Sequence, residues 1–424
     1  MAIAGRCKVK TVVLLGLALL SFVAEGAVPE GRRHGFRVRR NLADADADAT
    51  VFDVMTYGAK ADGKTDNFEP FVKAWKAACS ASAPATLVIP RGTYLTGQVV
   101  FQGPCKSSNP ITVKIEGTIK ATTDISEYPT AEWILFELID GLIITGSGTI
   151  DGQGASVWGY NDCSHNSGCQ LLPVSIKFHR VNNSVVNGIS SVNAKSFHMF
   201  ITRSANITVH DLNITAPAKS PNTDGIHIGS SSFVNITNSN IGTGDDCISI
   251  GQGATNISIS SVFCGPGHGI SIGSLGKYKD EEDVSGIVVK NCTLSNTTNG
   301  VRIKTWPGSP PSQASSITFQ DIVMDMVQNP IIIDQNYGSH KSAPSRVKVS
   351  DVHYKNIRGT SKSPVAVSLS CSSEVPCQGV QLVDIDLAYK SVRKSKRMQN
   401  STLSASCLNV KVTSGGKQNP PACP

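Results

Sequence analysis

Past residue 130 the chain consists mostly of short runs in which aliphatic and polar residues alternate, separated by Gly or Asn. Each run has the pattern of a β-strand of about four residues followed by a turn. The first inward aliphatic residues of the clearest runs recur at intervals of 27, 22, 22, 31, 30 and 34 residues, and they are Met199, Ile226, Ile248, Ile270, Val301, Ile331 and Val365. A recurring block of this size, with several strands and no helix, is typical of a solenoid.

The pattern favours a parallel β-helix, in which each coil contributes one strand to each sheet and equivalent residues stack about 4.8 Å apart. A β-sandwich would need hairpin turns, and the Asn-Gly signal for such turns is scarce here. We therefore expect an all-β, single solenoid domain over residues 51–424. Because solenoids need their ends covered, we also expect an N-terminal capping helix that begins after Thr65 or Asp66 and ends near Cys79. Its apolar face would consist of Phe68, Phe71, Val72, Trp75 and Cys79.

The first 50 residues lack this pattern. A basic start precedes an apolar run at residues 11–24, which is too short to span a bilayer and suits the core of a signal peptide. We expect a signal peptide over residues 1–26, since Ala24 and Gly26 are the small residues that signal peptidase reads; a membrane anchor is the alternative. Residues 27–50 combine a basic run with a low-complexity run. We expect them to be flexible or processed, with an anion-binding arm as the alternative.

Composition and charge narrow the class of protein. Apolar residues make up 40% and charged residues 17% of the chain, with 38 Gly, which excludes a disordered chain and disfavours a helical bundle. The net charge of +7 suggests an acidic partner such as nucleic acid, anionic lipid or an acidic polysaccharide. However, residues 41–424 contain 31 basic and 30 acidic residues. Most of the excess charge thus lies in residues 1–40, and global charge does not identify the partner.

The cysteines and sequons fit an oxidising, extracellular compartment. Eleven of the 12 Cys remain after the predicted leader is removed. Spacing suggests the pairs Cys79–Cys105, Cys163–Cys169, Cys247–Cys264, Cys371–Cys377 and Cys407–Cys423, which leaves Cys292 over. The chain lacks the CxxC pairs and His spacing of a zinc site, so we expect no metal. Sequons begin at Asn182, Asn206, Asn213, Asn235, Asn256, Asn291, Asn296 and Asn400, as in a secreted glycoprotein.

Three of the aligned runs concentrate unusual polar residues at one coil position. Two positions before the aligned aliphatic residue stand Asp224, Asp246, His268 and Asn299, and Asp245 lies one place earlier. One position after it stand His227, Ser249, Ser271 and Arg302, and three positions after it stand Gly229, Gly251, Gly273 and Lys304. If the coils are in register, three carboxylates and a His form one surface patch with Arg302 and Lys304 beside it.

Such a patch indicates chemistry. Carboxylates stacked about 5 Å apart repel one another and raise the pKa of at least one of them, an arrangement that suits a protonated acid beside an ionised base, as in glycoside hydrolysis. Any one Asp at a coil corner is more often a turn residue, and His227 would face solvent or pack beside the patch. The acidic run at residues 280–283 and the basic cluster at residues 393–397 are more often solvated segments than binding sites.

At these residues the chain resembles the polygalacturonase family of glycoside hydrolases. NTD at 222–224, DD at 245–246, GHG at 267–269 and RIK at 302–304 match the four motifs of that family in order and spacing. The similarity runs from about Phe52 to the C-terminal cysteines and is greatest to the plant pollen-type exopolygalacturonases. The resemblance implies a right-handed parallel β-helix that is secreted to the plant cell wall, uses no cofactor and hydrolyses de-esterified pectin.

The resemblance also implies roles for individual residues. Asp245 would be the general acid, and Asp224 and Asp246 would activate the attacking water. His268 would hold the protonation state of the acid. Arg302 and Lys304 would bind a galacturonate carboxylate, with Asn222 and Gly269 as further substrate-binding residues. The implied reaction inverts the anomeric carbon, although neighbouring ladder positions lie closer than inversion normally requires.

Three alternatives remain open at this point. The enzyme could act inside the polymer instead of from its end, because the exo mode depends on the resemblance alone. A non-catalytic pectin-binding β-helix is disfavoured, since binding alone would select basic and aromatic residues over stacked acids. A pectate lyase would need Ca²⁺ and an arginine base. We expect the partner to be polygalacturonate, with no nucleic acid and no membrane, and the protein to be a monomer.

Overall fold

The computed structural model of the chain describes residues 49–162, 166, 169, 171–338, 343–390 and 402–423. Asp48–Pro424 form one compact unit. The predicted signal peptide, residues 27–48, Cys163, the basic cluster at 393–397 and the sequon at Asn400 lie outside the described residues. None of the described helices is long and apolar enough to cross a membrane.

The chain forms a right-handed parallel β-helix, which confirms the predicted fold class. Three parallel sheets run along its length, and each coil passes from sheet 1 to sheet 2 to sheet 3. Sheet 1 contains Thr50–Asp53, Ala85–Ile89, Ile111–Ile115, Leu142–Gly146, the end of Val174–Asn187, Ala205–His210, Ser232–Thr237, Thr255–Ser260, Val284–Lys290, the starts of Ser312–Val327, Val347–Ser361 and Cys377–Tyr389, and Val410–Asn419.

Sheets 2 and 3 complete each coil. Sheet 2 contains Asp62–Asp66, Thr93–Thr96, Thr118–Ala121, Thr149–Asp151, Ser190–Val192, Asn213–Thr215, Asn240–Gly242, Phe263–Cys264 and Thr293–Ser295, followed by the ends of the three long strands shared with sheet 1. Sheet 3 contains Val99–Gln102, Glu132–Asp140, the start of Val174–Asn187, Met199–Thr202, Ile226–Gly229, Ile248–Ile250, Ile270–Leu275, Asn299–Thr305, Asn329–Asp334, Val365–Ser370 and Ser404–Leu408.

The predicted helix covers the N-terminal end of the coils. It spans Phe68–Ser80 and buries Phe71, Ala74, Trp75, Ala78 and Cys79. The described part of the chain also contains four short 3₁₀ helices, at Val54–Tyr57, Ile125–Glu127, Gly154–Ser156 and Trp158–Tyr160. The expected N-cap was wrong: Thr65 and Asp66 belong to a strand, so Asn67 takes the capping position. Phe68 is also exposed, because its ring lines an open surface cavity beside Gln98 instead of the core.

The core is a set of stacked side-chain rows. Phe101, Phe136 and Phe178 stack from coil to coil with ring centroids 4.9 and 5.6 Å apart, and Trp75 of the helix lies 5.1 Å from Phe101. Alternate residues of the strands are buried, as period-2 patterning requires. Full burial of one such aliphatic side chain contributes about 1.5–3 kcal/mol. The repeated rows therefore fix the register of the coils.

The predicted register is confirmed for six of the seven aligned positions. Met199 pairs with Ile226, and the row continues through Ile248, Ile270 and Val301 to Ile331. The seventh assignment was wrong, because Ile331 pairs with Val367 and not with Val365. Val365 and Val367 are both aliphatic and lie one strand period apart, so the pattern alone does not show which of them continues the row.

Four of the five suggested disulfides join described residues, and all four are present: Cys79–Cys105, Cys247–Cys264, Cys371–Cys377 and Cys407–Cys423. The fifth suggested pair includes Cys163, which lies outside the described residues. Cys292 is free and buried, as the spacing predicted. Burial raises the pKa of the Cys292 thiol to about 11, so this side chain is a neutral core residue. Polar turn residues also stack at the corners, where Asn206 donates to Asn183 with an Nδ2–Oδ1 distance of 2.7 Å.

Candidate active site

The polar residues of sheet 3 meet on its outer face. Asp224, Asp245, Asp246 and His268 lie in the turns that lead into three successive strands, while Arg302 and Lys304 lie on the fourth. Backbone hydrogen bonds hold these turns in register: Gly225 N donates to Asp246 O at 2.9 Å, and His268 N donates to Asp245 O at 2.8 Å. The structure therefore brings together the carboxylates, the His and the two cations that the sequence placed in one row.

Asp246 is the centre of a buried ion cluster. Its Oδ1 accepts hydrogen bonds from Arg302 Nη2 and from Ser271 Oγ, both at 2.8 Å, and its Oδ2 accepts from Lys304 Nζ at 2.8 Å. The side chain of Asp246 is 1% exposed, against 10% for Arg302 and 8% for Lys304. Burial alone would lower the pKa of Lys304, but the charge of Asp246 outweighs it and raises that pKa. This cluster keeps Asp246 an ion-paired carboxylate.

Asp224 has a different environment, because its contacts are neutral. Ser249 Oγ donates to Asp224 Oδ2 at 2.6 Å, and the same hydroxyl lies 2.7 Å from His227 Nδ1. Burial, followed by the charges of Asp245 and Asp246, raises the pKa of Asp224 well above its ordinary value. Asp224 is therefore the carboxyl group of the cluster that most readily holds a proton.

His227 packs beside the site, which decides between the two sequence-based alternatives. Its ring lies 5.0 Å from that of Phe197 and 4.8 Å from that of Phe200. Burial, followed by the positive charge of Lys304, lowers the pKa of His227 to about 4. When Asp224 is ionised and Ser249 donates its hydroxyl proton to it, neutral His227 donates to Ser249 through Nδ1.

Asp245 is the most accessible of the three carboxylates, with 20% of its side chain exposed. Its Oδ1 accepts from Asp246 N at 2.8 Å and lies 3.0 Å from His268 Nδ1. Burial alone would raise the pKa of Asp245, but the hydrogen bond and charge of His268, together with the charge of Lys304, lower it. The carboxylate therefore faces solvent with His268 fixed beside it.

One group of side chains has metal-like spacing. Donor atoms of Asp245, Asp246 and His268 lie within 4.8 Å of one another. However, Arg302, Lys304 and Ser271 already occupy the oxygens of Asp246. These contacts neutralise the buried carboxylate without a metal ion, so the side chains present do not form a good metal site.

The two remaining predicted site residues differ in exposure. Asn222 is exposed to solvent, and its backbone has a left-handed conformation with a φ of 53°. Its Oδ1 accepts a hydrogen bond from Asn161 Nδ2 at 2.9 Å. Gly269 is buried with a φ of 89°, and a Cβ there would lie 2.2 Å from the carbonyl oxygen of Asn299. Gly269 therefore has a backbone role in the turn that carries His268 and offers no accessible group.

Tyr337 is a site residue that the sequence analysis missed. Its ring centroid lies 5.0 Å from Lys304 Nζ and 5.7 Å from the guanidinium carbon of Arg302. Tyr337 follows the strand Asn329–Asp334 in a turn, where the strand periodicity has ended. The strand Asn329–Asp334 pairs with the strand that carries Arg302 and Lys304. An aromatic residue shortly after that strand was the sequence signal that could have indicated Tyr337.

With this geometry established, residues 79–407 also match the profile of glycosyl hydrolases family 28. The chain belongs to this family. An exopolygalacturonase of Arabidopsis thaliana is 48% identical over 423 residues, which cover 99% of this chain and 97% of that protein. An exopolygalacturonase of Platanus acerifolia is 47% identical over 375 residues, which cover 88% of this chain and 97% of that protein.

Solved structures agree with the family 28 assignment at the level of the fold. An exopolygalacturonase from Thermotoga maritima superposes with a TM-score of 0.68 and 21% identity, over 80% of this chain and 87% of that one. A polygalacturonase from Erwinia carotovora superposes with a TM-score of 0.66 and 24% identity, over 84% and 95%. The predicted family resemblance is thus confirmed, and this member of family 28 is a glycoside hydrolase.

Proposed function

We propose that this member of family 28 is an exo-acting polygalacturonase that hydrolyses α-1,4-galacturonosyl linkages of de-esterified pectin. The observation that carries the proposal is the convergence of three carboxylates with Arg302 and Lys304 on one face of sheet 3. Acidic groups supply the acid and base of glycoside hydrolysis, and the cations match an anionic sugar. The exo mode is supported by relatives named exopolygalacturonases in Arabidopsis thaliana, Platanus acerifolia and Zea mays.

In the proposed reaction Asp245 protonates the glycosidic oxygen, because it is the carboxyl group that an entering substrate can reach. Its pKa is lowered in the free enzyme, partly by Lys304. A galacturonate carboxylate near Lys304 would cancel that positive charge and raise the pKa of Asp245. Substrate binding would thus favour the protonated acid, and His268 would hold its proton in position.

Water attack requires a base on the other side of the scissile bond. Asp246 is the ion-paired carboxylate and accepts the proton of the attacking water, while Asp224 orients that water with Asp246. The water oxygen bonds to the anomeric carbon, the bond to the leaving oxygen breaks, and the proton of Asp245 goes to the leaving group. One water is consumed, and the configuration at the anomeric carbon is inverted.

The substrate side of the proposal includes Arg302, Lys304 and Asn222. Arg302 donates one hydrogen bond to Asp246 and one to Ser271. These use two of the roughly five N–H donors of its guanidinium group. The remaining donors can pair with a galacturonate carboxylate. Asn222 lies exposed beside the turn that carries Asp224, where it can bond a sugar hydroxyl.

Secretion to the plant cell wall, action as a monomer and cleavage of residues 1–26 belong to the same proposal. The apolar run at residues 11–24 and the four disulfides support an extracellular location. Size-exclusion chromatography of the secreted protein and sequencing of its N-terminus test these points. A dimer, or an N-terminus that begins at Met1, would contradict them.

The decisive experiment follows reducing-end release and viscosity together during digestion of polygalacturonate. An exo-acting enzyme releases monomeric galacturonate while viscosity falls slowly, whereas steep early viscosity loss would show internal cutting. Proton NMR of the first product distinguishes inversion from retention. Substrate binding without sugar release would favour a non-catalytic protein, and Ca²⁺-dependent unsaturated ends that absorb in the ultraviolet would favour a lyase.

A further inference from the structure

A cleft lies next to the cationic end of the site. It is lined by the loop at residues 276–279 and by Trp306, Gly308 and Pro310, and its volume is about 410 Å³. The strand that carries Arg302 and Lys304 ends at Thr305, immediately before Trp306. One wall of the cleft is therefore a direct continuation of the strand that holds the two cations.

Aromatic rings connect the cleft to the site. Tyr337 packs against both Arg302 and Lys304, and its ring meets that of Trp306 edge to face at 5.7 Å. Lys277 Nζ then lies 5.4 Å from the ring centroid of Trp306. The surface beyond the proposed carboxylate-binding cations is thus continuous, and it alternates cationic and aromatic groups.

The loop of the cleft is held in place by its own carboxylate. Glu281 accepts hydrogen bonds from the backbone N–H groups of Gly276 at 2.6 Å, Lys277 at 2.8 Å and Tyr278 at 2.9 Å. The carboxylate oxygens of Glu281 are thus used within the loop. Asp283 in turn accepts a hydrogen bond from Gln313 N at 2.7 Å. Part of the acidic run at 280–283 thus builds the loop, while Asp280 and Glu282 remain as negative charges beside it.

The residues that this loop presents are outward-facing. Tyr278 is 65% exposed, and Lys277 Nζ lies 5.6 Å from its ring. Lys277 and Lys279 are exposed as well, and neither forms a salt bridge with a carboxylate among the described residues. Two unpaired ammonium groups beside aromatic faces suit a ligand with a carboxylate and an apolar ring face.

We propose that this cleft binds a further galacturonate unit of the substrate chain, beyond the unit that Arg302 and Lys304 hold. The carboxylate of that unit pairs with Lys277 or Lys279, and its sugar ring packs against Tyr278 or Trp306. This inference rests on the proposed function, since it takes the substrate to be a chain of galacturonates. Binding in this cleft would make the enzyme prefer substrates of three or more linked galacturonates to digalacturonate.

The test compares kcat/KM for digalacturonate, trigalacturonate and long polygalacturonate at physiological ionic strength. In the double variant Lys277→Ala/Lys279→Ala, the ratio of kcat/KM for trigalacturonate to that for digalacturonate should fall about 3- to 30-fold, the range expected for loss of one or two exposed ion pairs. Tyr278→Ala should lower the same ratio. The matched control is Lys290→Ala/Lys348→Ala, which removes the same charge from exposed positions of sheet 1.

The outcomes separate this inference from the proposed function. An unchanged ratio, or an equal fall in the control, would overturn the cleft while leaving the hydrolase in place. If the wild type hydrolyses no galacturonate chain, the proposed function fails. Calorimetric binding of trigalacturonate to the Asp245→Asn variant, with and without the two lysine changes, still decides the cleft: weaker binding without the lysines supports it, and equal binding refutes it.

Discussion

Asp245 and Asp246 are adjacent in sequence, yet replacing each by Asn should separate catalysis from stability. Asp245→Asn keeps the Oδ1 acceptor for Asp246 N and loses the carboxylate contact with His268, which is 39% exposed, together with the attraction of Lys304. An exposed pair of this kind contributes up to about 1 kcal/mol. Removal of a general acid lowers kcat by about 10²- to 10⁴-fold, which corresponds to roughly 3–5 kcal/mol of transition-state stabilisation.

Asp246→Asn should be inactive for a different reason and should also be unstable. It leaves Arg302 and Lys304 buried against a neutral amide whose NH₂ group cannot accept their hydrogen bonds. Breaking a buried ion pair by removing one partner costs about 3–5 kcal/mol. We therefore expect Tm to fall by several degrees in Asp246→Asn, and to stay near the wild-type value in Asp245→Asn.

The two readouts are reducing-end release from polygalacturonate and thermal unfolding followed by circular dichroism. Near-normal activity of Asp245→Asn would refute its role as the acid. An equal loss of stability in both variants would refute the argument that only Asp246 is the buried anion of the cluster. The controls are wild-type protein and Asp325→Asn. Asp325 lies on the strand Ser312–Val327, away from the row of site residues.

Three further predictions concern charge. Lys304→Met should raise KM for polygalacturonate and lower kcat, since it removes a partner of Asp246 and a substrate cation; unchanged kinetics would contradict both roles. Excess chelator should leave activity intact, because Arg302 and Lys304 already neutralise the carboxylate, and a chelator-dependent loss restored by Ca²⁺ would contradict this. Burial lowers the pKa of His198 to about 3, against about 6.5 when unfolded. Its contribution to stability is therefore complete above pH 6.5 and lost as the pH falls towards 3, so Tm measured between pH 7 and 4 should fall less in His198→Asn than in the wild type.

Much of the site could be predicted because a β-helix converts sequence period into spatial position. Once the aligned aliphatic residues point inward, the residue that follows each must point outward, so Ser271 and Arg302 become neighbours. Their equal offset from the aligned residues placed Asp224, Asp246 and His268 in one row. It failed at Val365, since Val365 and Val367 are both aliphatic and one strand period apart, and the sequence pattern does not show that Val367 is the one that pairs with Ile331.

Contacts made by turns could not be predicted in this way. Tyr337 reaches Lys304 from a turn after Asp334, and turn length has no period. The hydrogen bond from Ser249 to Asp224 was equally hidden, because hydroxyl direction depends on the packing of His227 between Phe197 and Phe200. The sequence shows that these side chains exist, but their contacts depend on the three-dimensional packing of the turns.

The same packing gives the carboxyl groups of one cluster different electrostatic environments. Two serine hydroxyls at the same coil position each bridge a carboxyl group and a second side chain. Ser271 lies between Asp246 and the cation Arg302, whereas Ser249 lies between Asp224 and the neutral His227. A cationic neighbour favours the ionised form and a neutral, buried one favours the protonated form. Arg302 on one side and His227 on the other therefore distinguish the ion-paired Asp246 from Asp224, whose pKa is raised.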